Sequence, residues 1–189
     1  MLYTPPYQSV KLSLFLKRVQ FQLDNGRGPK YLQENPFLAG QVIHQIAPCY
    51  SVYLMCCKET ESHVRYVKIG MSKDINKRLS AINTDNALKV SAVYYFCVGD
   101  VEMTLRHESH MHARFDEYRY HNEWFRFDEG TKEYYGQLHQ MIEEMKLLLG
   151  DDYNTFVYDP HIAYTDPRLV KLRKYYQKAL DLIDAKFEL

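Results

Sequence analysis

The chain has no net charge to speak of. Its 24 lysines and arginines are matched by 24 aspartates and glutamates. That balance excludes a histone-like or polybasic-arm binder, but it leaves nucleic acid open, because a total hides local fields. Long apolar runs are missing too: none approaches the roughly 20 residues of a membrane helix, so no membrane association is expected. Residues 1–7 show no basic segment followed by an apolar one, so no secretory signal is expected. No C-x-x-C occurs among Cys49, Cys56, Cys57 and Cys97. The adjacent pair Cys56-Cys57 would point to opposite faces of a strand. The four read as buried thiols of a reducing compartment, cytoplasmic or nuclear. Internal repeats and low-complexity tracts are also absent.

What remains is an ordinary globular composition, 46% hydrophobic and 25% charged over 189 residues. Such a chain can bury a core without disulfides or structural metals. The neutral total is a cancellation: residues 1–48 carry +3, residues 49–128 carry 0 and residues 129–189 carry −3. The same divisions fit the pattern of elements. Residues 1–48 form an N-terminal extension. Leu12, Phe15, Leu16, Val19 and Leu23 there make a helical stripe, while Val10, Leu12, Leu14 and Leu16 also alternate as in a strand; helix is favoured. Residues 129–189 form a C-terminal helical region. One helix over Thr131 to Leu149 has Tyr135, Leu138, Met141, Ile142, Met145 and Leu149 on one face and is stopped by Gly150. A second, from about Asp166, carries Leu169, Leu172, Tyr176, Leu180 and Ile183.

Residues 49–128 read as the central unit. Cys49 to Cys57 and Val64 to Met71 are strands of a hairpin joined by a polar loop. Ser72 or Asp74 caps a helix to about Asn83. Lys89 to Val98 is a strand apolar on both faces, hence expected to be central. Asp100 caps a helix to about Tyr118, and Asn122 to Phe127 is a short extended segment. The order predicts an α/β (α+β) unit with helices against a small sheet.

Strand parity gives that sheet two unlike faces. Val52, Leu54, Val67 and Ile69 share one; Ser51, Tyr53, Met55, Tyr66, Lys68 and Gly70 share the other. Taken alone, the second reads as a solvated face of amphipathic side chains. The second helix changes that reading. Val101, Leu105, Glu108, His112 and Phe115 recur at helical spacing, which turns Glu108 toward the sheet. A carboxylate there needs a cation, either a salt bridge to Arg78 or Lys68 or a metal. Tyr, Lys, Arg and Glu at one site suit phosphodiester hydrolysis. The carboxylate can hold Mg²⁺ or Mn²⁺, the arginine fork can clamp phosphate, and a tyrosine beside a cation can act as base on water.

At this point the residues resemble the GIY-YIG nuclease superfamily. Ser51-Val52-Tyr53 occupies the GIY position and Lys68-Ile69-Gly70 the YIG position. Arg78 and Glu108 follow where the family has its arginine and its metal-binding glutamate. The set Val67 to Gly70, Lys77-Arg78-Leu79, Glu108 to Phe115 and Glu123-Trp124-Phe125 is similar to a phage- and virus-associated branch with KIG in place of YIG and a terminal E-W-F. The resemblance implies a three-stranded, mainly antiparallel sheet with flanking helices. It also implies Mg²⁺- or Mn²⁺-dependent DNA cleavage, in the host cytoplasm if the protein is viral. Tyr53 would then be the base, Glu108 the metal ligand and Arg78 the phosphate clamp. Ser51 replaces the first glycine, and Lys68 the second tyrosine. Either Tyr66, of the same parity, takes that tyrosine's place, or Lys68 assists Tyr53 by lowering its pKa. Asn122 is the counterpart of the family's downstream asparagine.

Other residues have plainer readings. His107, His110 and His112 cannot share one helical face, so structural zinc is not expected. His112 lies one turn from Glu108 and reads as a supporting or core histidine. Trp124 and Phe125 read as core closure. Lys77, and Lys171, Arg173, Lys174 and Lys178 on the last helix, could track DNA phosphates; the lysine row equally reads as a solvated face. The function expected is a metal-dependent DNA endonuclease. The rival readings are a nucleic-acid-binding module without catalysis and a virus-encoded effector that binds a protein.

Overall fold

A computed structural model describes residues 14–19, 21, 25, 42–43, 49–58, 64–85, 87–128, 133–150, 155–158 and 167–187. Contacts divide the chain into two units, residues 49–161 and residues 1–48 with 162–189.

The hairpin of the first unit forms as its alternation predicts. β1 (Tyr50–Lys58) and β2 (Val64–Ser72) pair antiparallel, with Tyr53 opposite Gly70, Met55 opposite Lys68 and Cys57 opposite Tyr66. Helix α1 (Ile75–Asp85) follows. Asp74 is its cap, accepting from the Lys77 amide at 2.9 Å, while Ser72 Oγ accepts from the Asp74 amide at 3.0 Å. Its Ile75, Leu79 and Ile82 are buried. β3 (Val90–Gly99) pairs with the other edge of β1. Helix α2 (Val101–Arg114) starts at the predicted cap: Asp100 accepts from the Met103 amide at 2.9 Å. Its C-terminal turn is 3-10, Asp116–Tyr118. The hairpin β4 (Arg119–His121) and β5 (Trp124–Asp128) then returns to pair with β2. Helix α3 (Glu133–Leu149) and β6 (Thr155–Tyr158) complete the unit.

The sheet therefore has six strands in the order β4-β5-β2-β1-β3-β6, every neighbouring pair antiparallel. Three strands were expected. The three extra ones are short: β5, the extended segment expected near residues 122–127, has five residues, and the edge strands β4 and β6 have three and four, too few for a periodic signal. Short edge strands also limit edge-to-edge association. β3 is interior, but the middle belongs to β1 and β2.

The core lies on the aliphatic face. Val52, Leu54, Cys56, Val67, Ile69, Phe96, Phe125 and Phe127 meet Met111 and Phe115 at the end of α2, and Leu138, Met141 and Met145 of α3. Two helix faces differ from expectation. On α3 it is Tyr134 that is buried, while Tyr135 is exposed. On α2 the buried residues are Thr104, His107 and Met111, whereas Val101 and Leu105 are exposed. Both stripes of α2 have helical spacing. Met111 and Phe115 seat its C-terminal end in the core, which turns the helix by less than one residue position. That turn leaves Glu108 and His112 on the flank of the buried stripe, half-buried. All four cysteines are free and buried.

In the second unit residues 14–19 are helical, with Phe15, Leu16 and Val19 buried, which favours the helical reading of that stripe. Leu12 and Leu23 lie outside the described residues, as do residues 59–63 of the predicted hairpin loop. Helix α4 (Pro167–Phe187) buries Leu172 and Tyr176, and the Tyr176 ring meets Phe15 edge-on at 6.1 Å. Among the described residues no helix is long and apolar enough to cross a membrane.

Candidate functional site

The polar face of the hairpin is not solvated. Ser51, Tyr53 and Met55 are fully buried, and Lys68 is 9% exposed. Tyr53 lies across β2 because its partner there is a glycine. A Cβ on Gly70 would stand 2.4 Å from Tyr53 Oη and 2.6 Å from Cζ, inside the ring's own space. The ring thus reaches past β2 to α1, where Arg78 Nε donates to Tyr53 Oη at 3.0 Å. Burial pushes the phenol's pKa up, the Arg78 hydrogen bond and charge oppose it, and Glu123 and Glu108 add to the rise; the net direction is upward.

Ser51 fits without glycine. Its Oγ donates to the Cys49 carbonyl at 3.3 Å and lies 3.5 Å from Cys49 Sγ and 3.9 Å from Cys97 Sγ, so the hydroxyl is satisfied inside the sheet.

Lys68 does not approach the phenol as a helper. Its ammonium donates to Glu123 Oε2 at 2.5 Å and sits over the Trp124 ring, 5.4 Å from the centroid. Trp124 is opposite Lys68 in the β2–β5 register and is half-buried on this face, whereas Phe125 closes the core on the other. The expectation that both rings close the core holds only for Phe125. The cation beside Tyr53 is Arg78. Glu123 is also 3.9 Å from Arg78 Nη2. Burial raises the Glu123 pKa, but the Lys68 bond and charge, with Arg78 and His112, outweigh that and bring it below the usual carboxylate value.

Glu108 is the other carboxylate. Burial and the Glu123 charge push its pKa up. A backbone hydrogen bond from Met71 and the charges of Arg78 and Lys68 oppose this without cancelling it. Among the described residues no lysine or arginine nitrogen lies within ion-pair distance of Glu108. The salt bridge to Arg78 or Lys68 weighed from sequence goes to Glu123 instead.

His112 supports the site from behind. Arg119 donates to its Nδ1 at 3.1 Å and to its carbonyl at 3.0 Å. Arginine has no acceptor, so Nδ1 is unprotonated and Nε2 carries the hydrogen, which goes to the backbone at Ile69. Burial, and then Arg119, lower the His112 pKa. Asn122 occupies the first position of the β4–β5 turn at φ 50°, which asparagine tolerates, and its amide meets His121 Nε2 at 3.0 Å rather than Tyr53. Tyr66 is four residues from Gly70, about 13 Å along the strand, and its ring packs on Tyr120. The structure does not bring it to Tyr53. Lys77 is exposed beside Arg78. Lys171, Lys174 and Lys178 are exposed and Arg173 half-buried on α4, in the second unit.

The structure thus brings Tyr53, Arg78, Glu108 and Lys68 into one charge-coupled cluster, within a stretch that matches a known domain. Residues 50–146 match the T5orf172 domain. The chain belongs to the T5orf172 domain family. The T5orf172 domain is a phage-associated domain of the GIY-YIG, nuclease-like group. No curated protein and no solved structure matches the chain. The T5orf172 match runs from the start of β1 into α3, and so includes every residue of the cluster and the Glu123 that ties it together. Glu123 was visible in the sequence only as part of the E-W-F tripeptide. Its role depends on the β2–β5 register, which no single-strand pattern carries.

Among the described residues Glu108 is the carboxylate of this cluster that could hold a divalent cation. Glu108 is a half-buried carboxylate whose ionisation is opposed by burial and by Glu123, so a cation there relieves a real cost. No group of three His, Cys, Asp or Glu residues is gathered among the described residues. One carboxylate suits an ion that keeps most of its waters and completes its shell with phosphate, as Mg²⁺ does.

Proposed function

We propose that this T5orf172 protein is a metal-dependent DNA endonuclease of the GIY-YIG type, in the branch with KIG in place of YIG. The observation that carries the reading is the Tyr53–Arg78 pair, 3.0 Å apart, in one charge cluster with a Glu108 that has no lysine or arginine within ion-pair distance among the described residues. Tyr53 Oη takes the proton of the attacking water. Arg78 holds the phenol by Nε and binds a phosphate oxygen with its fork. Glu108 is the residue that holds Mg²⁺ or Mn²⁺, which when bound stabilises charge on the phosphate and the leaving oxygen. Lys68 secures Glu123 and adds positive charge to the site's floor. Lys77 and the exposed lysines of α4 offer phosphate contacts.

The first test is incubation of supercoiled plasmid with the protein and Mg²⁺ or Mn²⁺, beside Tyr53→Phe and Glu108→Ala. Nicking by the parent and its loss in both variants is expected. No nicking by the parent, or equal nicking by Glu108→Ala, overturns the reading. A second reading is a DNA-binding module without catalysis. It is favoured by the commitment of Lys68 to Glu123, and it predicts salt-sensitive binding with no metal requirement.

A further inference from the structure

Arg78 is the least anchored member of the cluster. Its side chain is 43% exposed. Its interactions are the hydrogen bond to Tyr53 and a charge contact with Glu123, with the more distant field of Glu108 behind them. A long side chain with one hydrogen bond and open water around it has every entropic reason to swing away. Glu123, by contrast, is held from two directions. Its carbonyl accepts from the Ile69 amide at 3.1 Å, and its carboxylate accepts from the Lys68 ammonium at 2.5 Å. Lys68 is itself nearly buried, between Met55 and Trp124 in the sheet register. Rigid sheet, buried ammonium and turn carboxylate therefore end on a part-exposed guanidinium.

We propose that Glu123 is a positioning residue, which carries the rigidity of Lys68 and the sheet to Arg78 and so keeps Arg78 Nε on Tyr53 Oη. The 3.9 Å separation from Nη2 is too long for a hydrogen bond, so Glu123 acts by charge and leaves the fork free for phosphate. This rests on the endonuclease reading for its consequence in catalysis, but the geometry it describes is measurable without cleavage.

The experiment follows the Arg78 Nε–H resonance in ¹⁵N-labelled protein, assigned with Arg78→Lys, together with kcat and KM for plasmid nicking. In the parent the Nε–H is protected from exchange with water. In Glu123→Gln the protection is lost, and kcat falls about 100-fold with KM unchanged, since misplacement of a catalytic group by about 1 Å has that effect. Glu123→Gln leaves Lys68 buried without its counter-charge, so Lys68→Gln/Glu123→Gln is made beside it as a variant with no orphaned ion; the same loss of protection is expected. Retained protection in the folded variants overturns the proposal. Absence of nicking by the parent overturns the endonuclease reading alone, and leaves the resonance to decide the role of Glu123.

Discussion

The two faces of the central hairpin are both buried, but by opposite means. One holds Val52, Leu54, Val67 and Ile69 against apolar side chains of α2 and α3. Its stability follows from area removed from water, and any single member can be exchanged for another of similar volume. The other holds buried Tyr53 and Lys68, which are bonded to the part-exposed Arg78 and Glu123, with the half-buried Glu108 beside them. Within that face the two carboxylates differ again. Glu123 is paired and its pKa is depressed, while Glu108 has no lysine or arginine within ion-pair distance among the described residues and its pKa is raised. On the endonuclease reading, the carboxylate without a lysine or arginine partner among the described residues is the one that would hold the metal.

Breaking the apolar face should have the largest effect on stability. Phe96→Ala is expected to cost about 3–5 kcal/mol in urea denaturation, with cleavage per folded molecule unchanged at low temperature. Gly70→Ala acts on both faces at once, because its Cβ enters the space of the Tyr53 ring. We expect a loss of about 1–3 kcal/mol and, unlike Phe96→Ala, loss of nicking even where the protein is fully folded. Glu108→Gln should separate the two faces in the opposite sense. A carboxylate with a raised native pKa favours folding below its unfolded pKa, and that contribution is lost as pH rises through the native value. At neutral pH its removal therefore raises Tm in metal-free buffer, and the gain shrinks as pH falls. Mg²⁺ raises the parent's Tm, by about 2.7 kcal/mol of stability at a hundred times Kd, and leaves Glu108→Gln unmoved. The smallest effect belongs to the second unit: Lys171→Glu with Lys174→Glu should leave Tm alone and flatten the salt dependence of DNA binding by up to about two phosphate contacts. An unchanged salt slope removes α4 from the DNA interface.

Much of this was legible in residue order. Alternation gave both faces of the hairpin, and the caps at Asp74 and Asp100 gave two helix starts, because these are local signals. The T5orf172 match bears out the nuclease-like grouping that Tyr53, Gly70, Arg78 and Glu108 suggested. What was not legible depends on register and rotation. The α2 stripe of Val101 and Leu105 is as periodic as the one that packs; Phe115 belongs to both, and only the seating of Met111 decides between them. The destination of the Lys68 ammonium required knowing that Trp124 stands opposite it, with Glu123 at the turn beside it. β4 and β6 are too short to show a period.

The central claim is that Tyr53 is the base, and its pH dependence tests that most directly. The phenol's pKa is held above its ordinary value, so across about pH 6–8.5 its deprotonated fraction grows tenfold per unit. Single-turnover cleavage by the parent should rise log-linearly with a slope near one over that window, and Tyr53→Phe should be slow and lack the rise. A Tyr53→Phe protein that cleaves at the parent's rate with the parent's slope would contradict the account.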